Sequence, residues 1–240
     1  MQLFYTPDIN GNFYFLNETE SKHCTRVLRL KNDDIIYLTD GKGGFYHARI
    51  IDDSVKCCKI EIIEKKEQFE KRFYHLHIAI APTKNTDRFE WFLEKATEIG
   101  IDEITPIVCT RSERKLIKPE RLEKILISAM KQSIKAYKPQ LNSMCSLDNF
   151  IKKPVVNDTL KFIAHCEESA KELLTRCYSP GKNTLILIGP EGDFTPEEIQ
   201  LSLDHQFIPV SLGNSRFRTE TAGIVACDTI GLINQMSALT

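Results

Sequence analysis

The chain has no C-x-x-C pair, no G-x-G-x-x-G fingerprint and almost no net charge. It also has no apolar run near the roughly 20 residues that cross a bilayer. Its eight cysteines are scattered. The one adjacent pair, Cys57-Cys58, is poorly placed to share a metal, so no zinc site is expected and the thiols read as reduced and mostly buried. No membrane partner is expected. The opening MQLFYTPDIN lacks a basic stretch followed by an apolar core, so no signal peptide is expected and the expected location is cytoplasmic. A formal charge of −1 gives no affinity for nucleic acid by its total; only its distribution can. No internal repeat or low-complexity tract is visible. What is present is a globular composition, 42% hydrophobic and 27% charged over 240 residues, enough for one or two domains with their own cores.

The pattern changes once along the chain. Residues 1 to about 70 alternate β-rich runs (Ile35–Thr39, Phe45–Ile51, Val55–Ile63) with turn clusters such as Asn10-Gly11, Asp40-Gly41-Lys42-Gly43-Gly44 and Asp52-Asp53-Ser54. That spacing reads as a small β-barrel. The charged segment Glu64–Arg72 marks the boundary. From the apolar run Tyr74–Ala81 onward the pattern is α/β. Phe89, Phe92, Leu93, Ala96 and Ile99 form a helical stripe stopped by Gly100, and Leu122, Ile125, Leu126, Ala129, Met130 and Ile134 form a second, begun near Pro119. Both stripes read as core or as dimer surface.

Two strand–loop–helix units near the C-terminus carry the chemistry. In the first, Leu185–Ile188 is a wholly apolar run, expected to be a strand buried on both faces. Gly189 and Gly192 free the backbone for unusual dihedrals and for close approach by a ligand, and Pro190 stiffens the turn. Thr195, Pro196 and Glu198 spell a helix N-cap, a first-turn proline and a capping box. In the second unit Ile208, Val210 and Leu212 alternate as a strand with Gly213 at its tip. Arg216 and Arg218 lie in the loop, and Thr219 is placed to cap the next helix. Ala222, Gly223 and Ala226 give that helix a thin face. Gly223 costs about 1 kcal/mol relative to alanine, which implies a packing reason. Two such loops at strand ends build a pocket for a small-molecule cofactor, and so point to an enzyme.

The pair LIGPEGDFTPEEI and LGNSRFRTETA resembles the C-terminal signature of the SPOUT methyltransferases, specifically the family that methylates N3 of a uridine in 16S ribosomal RNA (RsmE-type). TKNTDRFEWFLEKATEIGIDEITPIVCTRSE (Thr83–Glu113) is similar to the family's middle motif, and HCTRVLRLKNDDIIYLTDGKGGFYHARI (His23–Ile50) to its N-terminal domain. Two positions depart: Phe217 stands where the family has Leu, and Ile134-Lys135-Ala136 where it has a Gly-Arg pair. The resemblance implies an α/β protein, with a PUA-like β-barrel that binds RNA over residues 1–70. A SPOUT methyltransferase domain with a trefoil knot would cover 71–240, although chains otherwise almost never thread their own loops. It also implies a homodimer, S-adenosylmethionine as cofactor, and 16S ribosomal RNA of the small subunit as partner.

On that resemblance the cofactor residues are His165, Gly189, Pro190, Glu191, Gly192, Leu212, Gly213, Phe217 and Thr221. The loop Cys166–Ser169 would be the first of three around the cofactor. Arg218 is the residue expected to stabilise the uracil anion, and Glu220 is the nearest candidate for the proton acceptor. A helix-start glutamate is also an ordinary dipole partner. RNA contact is expected from Arg26, Arg29, Lys84, Arg111, Lys115, Lys131 and Lys135, because residues 111–138 hold nine basic against three acidic side chains. Such a run is also an ordinary solvated helix face. Two other readings stay open: a nucleic-acid-binding module on a decayed enzyme scaffold, and a dinucleotide-dependent oxidoreductase, which the missing glycine fingerprint disfavours.

Overall fold

The computed structural model describes residues 2–167 and 170–238. Two compact units are present, Met1–Lys71 with Ile127–Lys138, and Arg72–Leu126 with Pro139–Thr240. In the first unit the elements are β1 (Leu3–Tyr5), β2 (Phe13–Phe15), α1 (Glu18–Lys22), a π-helical turn at His23–Val27, β3 (Ile35–Thr39), β4 (Phe45–Asp52) and β5 (Lys59–Lys66). They form one five-stranded sheet in the order β1-β3-β4-β5-β2. Alternation along the strands puts Ile36, Leu38, Ala48, Ile50 and Ile60 into a core with Phe4, Leu16 and Cys24. The strand expected from Val55 begins at Lys59 instead. The Ser54 N–H bonds the Asp52 carboxylate and the Cys57 N–H bonds the Ser54 carbonyl, so the turn extends over the first residues of that run.

The second unit contains β6 (Leu76–Ile80), α2 (Thr86–Ile99), β7 (Glu103–Val108) and α3 (Pro119–Gln132), whose last turns belong to the first unit. There follow β8 (Gln140–Leu141), β9 (Cys145–Ser146), α4 (Leu147–Ile151), β10 (Leu160–Ala164), β11 (Glu172–Leu173) and α5 (Leu174–Cys177). The chain ends with β12 (Thr184–Ile188), α6 (Pro196–Asp204), β13 (Ile208–Ser211) and α7 (Thr219–Ser237). The sheet order is β11-β13-β10-β12-β6-β7-β8, every neighbouring pair parallel, with β9 also paired to β7.

Both faces of this sheet are covered, as an all-parallel sheet requires. Ile78, Ile80, Phe162, Ile186 and Ile188 face α2 and α7 on one side. Ala79, Ile163, Leu185 and Leu187 face α4 and Phe194 on the other. The run read as buried on both faces is buried at every residue of β12. Gly100 ends α2 at φ +127°, and α6 carries the full Thr195–Glu198 capping box with Pro196 in its first turn. Gly223 is explained by α2: a Cβ there would stand 2.6 Å from the Phe92 ring. Thr219 does not cap α7. Arg218 takes the N-cap position with extended backbone and no side-chain capping bond, because Thr219 is already helical.

Candidate active site

Strand order places the site. The chain leaves β12, passes over its neighbour β10 and comes back as β13 on the far side. The loops after β10, β12 and β13 therefore meet at one carboxyl edge of the sheet, at a change of winding, where α/β sheets hold ligands. A cleft of about 350 Å³ lies there, lined by Ala164, His165, Lys171, Val210, Leu212, Gly213, Arg216, Phe217 and Ala222 among others.

His165 is 8% exposed, and neither ring nitrogen has a hydrogen-bond partner among the described residues. Burial, helped by the Lys171 ammonium, pushes its pKa below the ordinary histidine value. The ring is therefore neutral at pH 7 and offers one N–H donor and one acceptor nitrogen. A buried polar group without a partner costs stability, so a cleft-lining histidine of this kind suits a polar ligand. Lys171 fixes the loop by donating to the His165 carbonyl at 2.8 Å. Gly213 sits at φ +136°, a region that favours glycine, and nothing lies within 4 Å of where its Cβ would stand. A ligand can come against this backbone closely.

The loop after β12 behaves differently from expectation. Gly189 and Gly192 have no positive φ. They are small for steric reasons within the chain: a Cβ on Gly189 would be 3.0 Å from the Phe194 ring, and one on Gly192 would be 3.2 Å from Arg111 Cβ. The Glu191 carboxylate accepts from the Lys84 backbone N–H at 2.9 Å. Gly189, Pro190, Glu191 and Gly192 are absent from the lining of the cleft. Their loop is tied to the cleft indirectly, through Asp193, whose carboxylate accepts from the N–H of the cleft-lining Cys166 at 2.7 Å. Glu168 and Ser169, the end of the expected first loop, lie outside the described residues.

A second hollow, about 570 Å³, is lined by Asp87, Arg88, Trp91, Arg216, Phe217, Arg218, Glu220 and Thr221. Arg216 and Phe217 line both spaces, so cleft and hollow adjoin. This separates the expected residues into two groups. His165, Leu212, Gly213 and Phe217 stand at the cleft; Arg218, Glu220 and Thr221 stand at the hollow. Arg218 is exposed. Glu220 is 6% exposed, its Oε1 lies 3.8 Å from Arg88 Nε, and its Oε2 has no partner among the described residues. Sequence reasoning missed Arg88, Trp91 and Lys171. Trp91 had a signal: the chain's single tryptophan falls off the apolar stripe of α2 and is 43% exposed.

The expected RNA residues divide as well. Arg26, Arg29 and Lys115 are exposed, Arg29 with φ +58°. Arg111 is committed to the chain itself, donating to the carbonyls of Gly192 at 2.9 Å and Phe194 at 3.3 Å. Lys84 pairs with Glu113 at 2.7 Å, and Lys131 with the largely buried Glu20 at 2.6 Å. Lys135 is half-buried. The basic run is thus partly structural.

Residues 70–231 match the family model for an RNA methyltransferase domain, and residues 16–63 match that for an RNA methyltransferase PUA domain. Ribosomal RNA small subunit methyltransferase E of Buchnera aphidicola (subsp. Acyrthosiphon pisum) is 31% identical, over 94% of this chain and 90% of that protein. Among solved structures, a probable rRNA-methyltransferase from Porphyromonas gingivalis superposes with a TM-score of 0.92 at 42% identity, covering 99% of this chain and 100% of the other. The methyltransferase E of Neisseria gonorrhoeae, bound to S-adenosyl methionine, superposes with a TM-score of 0.87 at 26% identity, covering 97% of each chain.

Proposed function

The chain belongs to the ribosomal RNA small subunit methyltransferase E family, and from that premise we propose that it methylates N3 of a uridine in 16S ribosomal RNA with S-adenosylmethionine. The observation that carries this reading is the paired site: a cleft walled by an open glycine and a buried histidine whose ring nitrogens have no partner among the described residues, adjoining a hollow with an arginine and a buried carboxylate. Cofactor in one space and base in the other puts donor and acceptor side by side. Family membership displaces the oxidoreductase alternative.

The residues fit the cofactor. His165 offers hydrogen bonds to its polar atoms, Leu212 and Gly213 offer backbone and close approach, and Phe217 offers an apolar wall between the two spaces. S-adenosylmethionine, when bound, supplies an electrophilic methyl group on a sulfonium. The displacement needs chiefly alignment, which the rigid edge of a parallel sheet provides. The uracil N3–H must be lost. Glu220 takes that proton on its carboxylate, and the Arg218 guanidinium stabilises the negative charge left on the ring. Trp91 gives the base a flat wall.

The same reading has residues 1–70 hold the RNA, through Arg26 and Arg29, and residues 71–240 carry the transfer, in the cytoplasm and as a homodimer. Strand order supports a knotted C-terminus. β13 lies on one side of β10, while α7, which follows it, packs against β6 and β12 on the other.

The test is methylation of unmodified small subunits and of free 16S RNA with isotopically labelled cofactor, followed by nucleoside mass spectrometry. Labelled 3-methyluridine in one of the two substrates is expected. Label on another atom, or none in either substrate, overturns the assignment.

A further inference from the structure

The first unit exposes two phenylalanines where a small domain would ordinarily hide them. Phe13 and Phe15 on β2 are 52% and 55% exposed. Between them Tyr14 turns to the core side and packs against the buried cluster, so the two phenylalanine rings share the outer face of the sheet. They are i and i+2 on a strand, hence about 6.8 Å apart along it, roughly twice the 3.4 Å step of stacked bases in a duplex strand. Lys59, directly across from Phe15 on β5, sets its ammonium 5.0 Å from one ring centroid and 5.6 Å from the other. Register places Phe13, Glu61 and Arg49 in one row of the same face, Arg49 exposed. Glu61 stands between Phe13 and Arg49, which leaves Lys59 as the cation at the rings.

Adjacent exposed rings form a contiguous apolar patch, and contiguous exposed apolar surface marks an interaction site. The chemistry here is specific. Flat faces with a lysine ammonium between them match an unpaired nucleotide, whose base stacks and whose phosphate meets the cation. Protein partners prefer larger patches with few charges at their centre; these two rings carry a lysine in their midst.

We propose that Phe13, Phe15 and Lys59 form a stacking platform for two unpaired bases of the RNA substrate, set apart from each other so that each takes one ring. The proposal rests on the RNA-methyltransferase reading above and adds to it a demand for single-stranded RNA at this face.

The test compares wild type with Phe13→Ala/Phe15→Ala, Phe13→Tyr/Phe15→Tyr and Lys59→Ala. The probes are a short oligouridine, an RNA duplex of equal length, and 16S RNA. Base–aromatic stacking loses roughly 5- to 150-fold in affinity per base when the ring is removed. The alanine pair should therefore bind oligouridine at least about tenfold more weakly, with duplex affinity and the salt slope unchanged. The tyrosine pair should bind as wild type. Lys59→Ala should lower the salt slope by about one. With 16S RNA the alanine pair should raise KM and leave kcat in place, because the platform touches no reacting atom.

Unchanged oligouridine affinity in a folded alanine pair overturns the platform. Equal losses for duplex and single strand also overturn it, as does a change of oligomeric state that follows the phenylalanines, which would make the face a contact between copies. Failure of wild type to methylate any RNA while it still binds oligouridine through these rings would sink the methylation reading and leave the platform standing.

Discussion

Asp193 holds the loop after β12 against the loop after β10: one carboxylate oxygen accepts the Cys166 backbone N–H at 2.7 Å, and the other accepts the Phe194 N–H at 2.8 Å. Asp193 itself sits at φ +63°, a strained place that a carboxylate with local hydrogen bonds tolerates better than most side chains. The contact fixes the residue next to His165. Asp193→Ala should therefore loosen the cleft and weaken S-adenosylmethionine binding about 5- to 10-fold, a part of the roughly 1.5–3 kcal/mol of a lost charge-assisted hydrogen bond, because Asp193 acts on the cleft through Cys166. Isothermal titration checks this, and unaltered affinity means the loop needs no such tie.

Arg218 is the sharper case. The competing view is that it merely anchors its loop to Asp193 or Glu191. Asp193 is occupied by Cys166 and Phe194, and Glu191 by Lys84. Arg218 is exposed at the hollow it shares with Glu220. Its loss should fall on the transition state. Arg218→Ala is expected to lower turnover about 10²–10³-fold with cofactor affinity near wild type, and lysine should recover part of the rate. Single-turnover methylation at saturating cofactor decides it: normal turnover once saturated makes Arg218 a binding residue only.

Gly213→Val tests the cleft through backbone and space together. At φ +136° any side chain is strained, and the added atoms meet no protein neighbour, only the open side of a residue that lines the cleft. Cofactor binding should be abolished while circular dichroism and cooperative unfolding persist. Wild-type affinity in a folded variant would show that the cofactor lies elsewhere.

How much of this was legible in the sequence depends on what kind of signal each residue left. Leu185–Ile188 announced a doubly buried strand because parallel sheets demand continuous apolar runs, and Thr195-Pro196-x-Glu198 announced its helix because capping is local chemistry. Gly213 could be read as a close-approach position, since it ends an alternating strand. Gly189 has no positive φ, and what its smallness answers to within the chain is the Phe194 ring packing on it, a tertiary contact with no signature in spacing. The sharing of Arg216 and Phe217 between cleft and hollow was invisible, because it follows from β13 lying beyond β10. Arg111 and Lys131 looked like free cations in a basic run. Only the fold shows that one holds the Gly192 and Phe194 carbonyls and the other a largely buried Glu20.

The last expectation concerns acid, at the opposite end of the sheet. His77 on β6 is largely buried, hydrogen-bonded through Nε2 to the Thr105 hydroxyl at 2.8 Å, with its Nδ1 3.7 Å from Glu103 Oε1. Burial pushes its pKa down to about 4, against the opposing pull of the Glu103 carboxylate; His75 and Lys153 add to the depression. An unfolded histidine titrates near 6.5. Above that value neither state binds the proton, and the contribution of His77 to stability is fully present. As pH falls, the unfolded chain protonates first, so folding stability drops between about 6.5 and about 4. Each pKa unit corresponds to about 1.36 kcal/mol, so the loss attributable to His77 approaches about 3 kcal/mol when the window has been crossed. His77→Gln keeps a hydrogen-bonding side chain at Thr105 and removes the titration. Urea unfolding at pH 7 and pH 4.5 should therefore show a smaller acid-dependent loss in the variant than in wild type, whatever its absolute stability at pH 7. Parallel losses in the two proteins would mean that His77 keeps its ordinary pKa in the folded chain and that carboxylates elsewhere govern the acid limb.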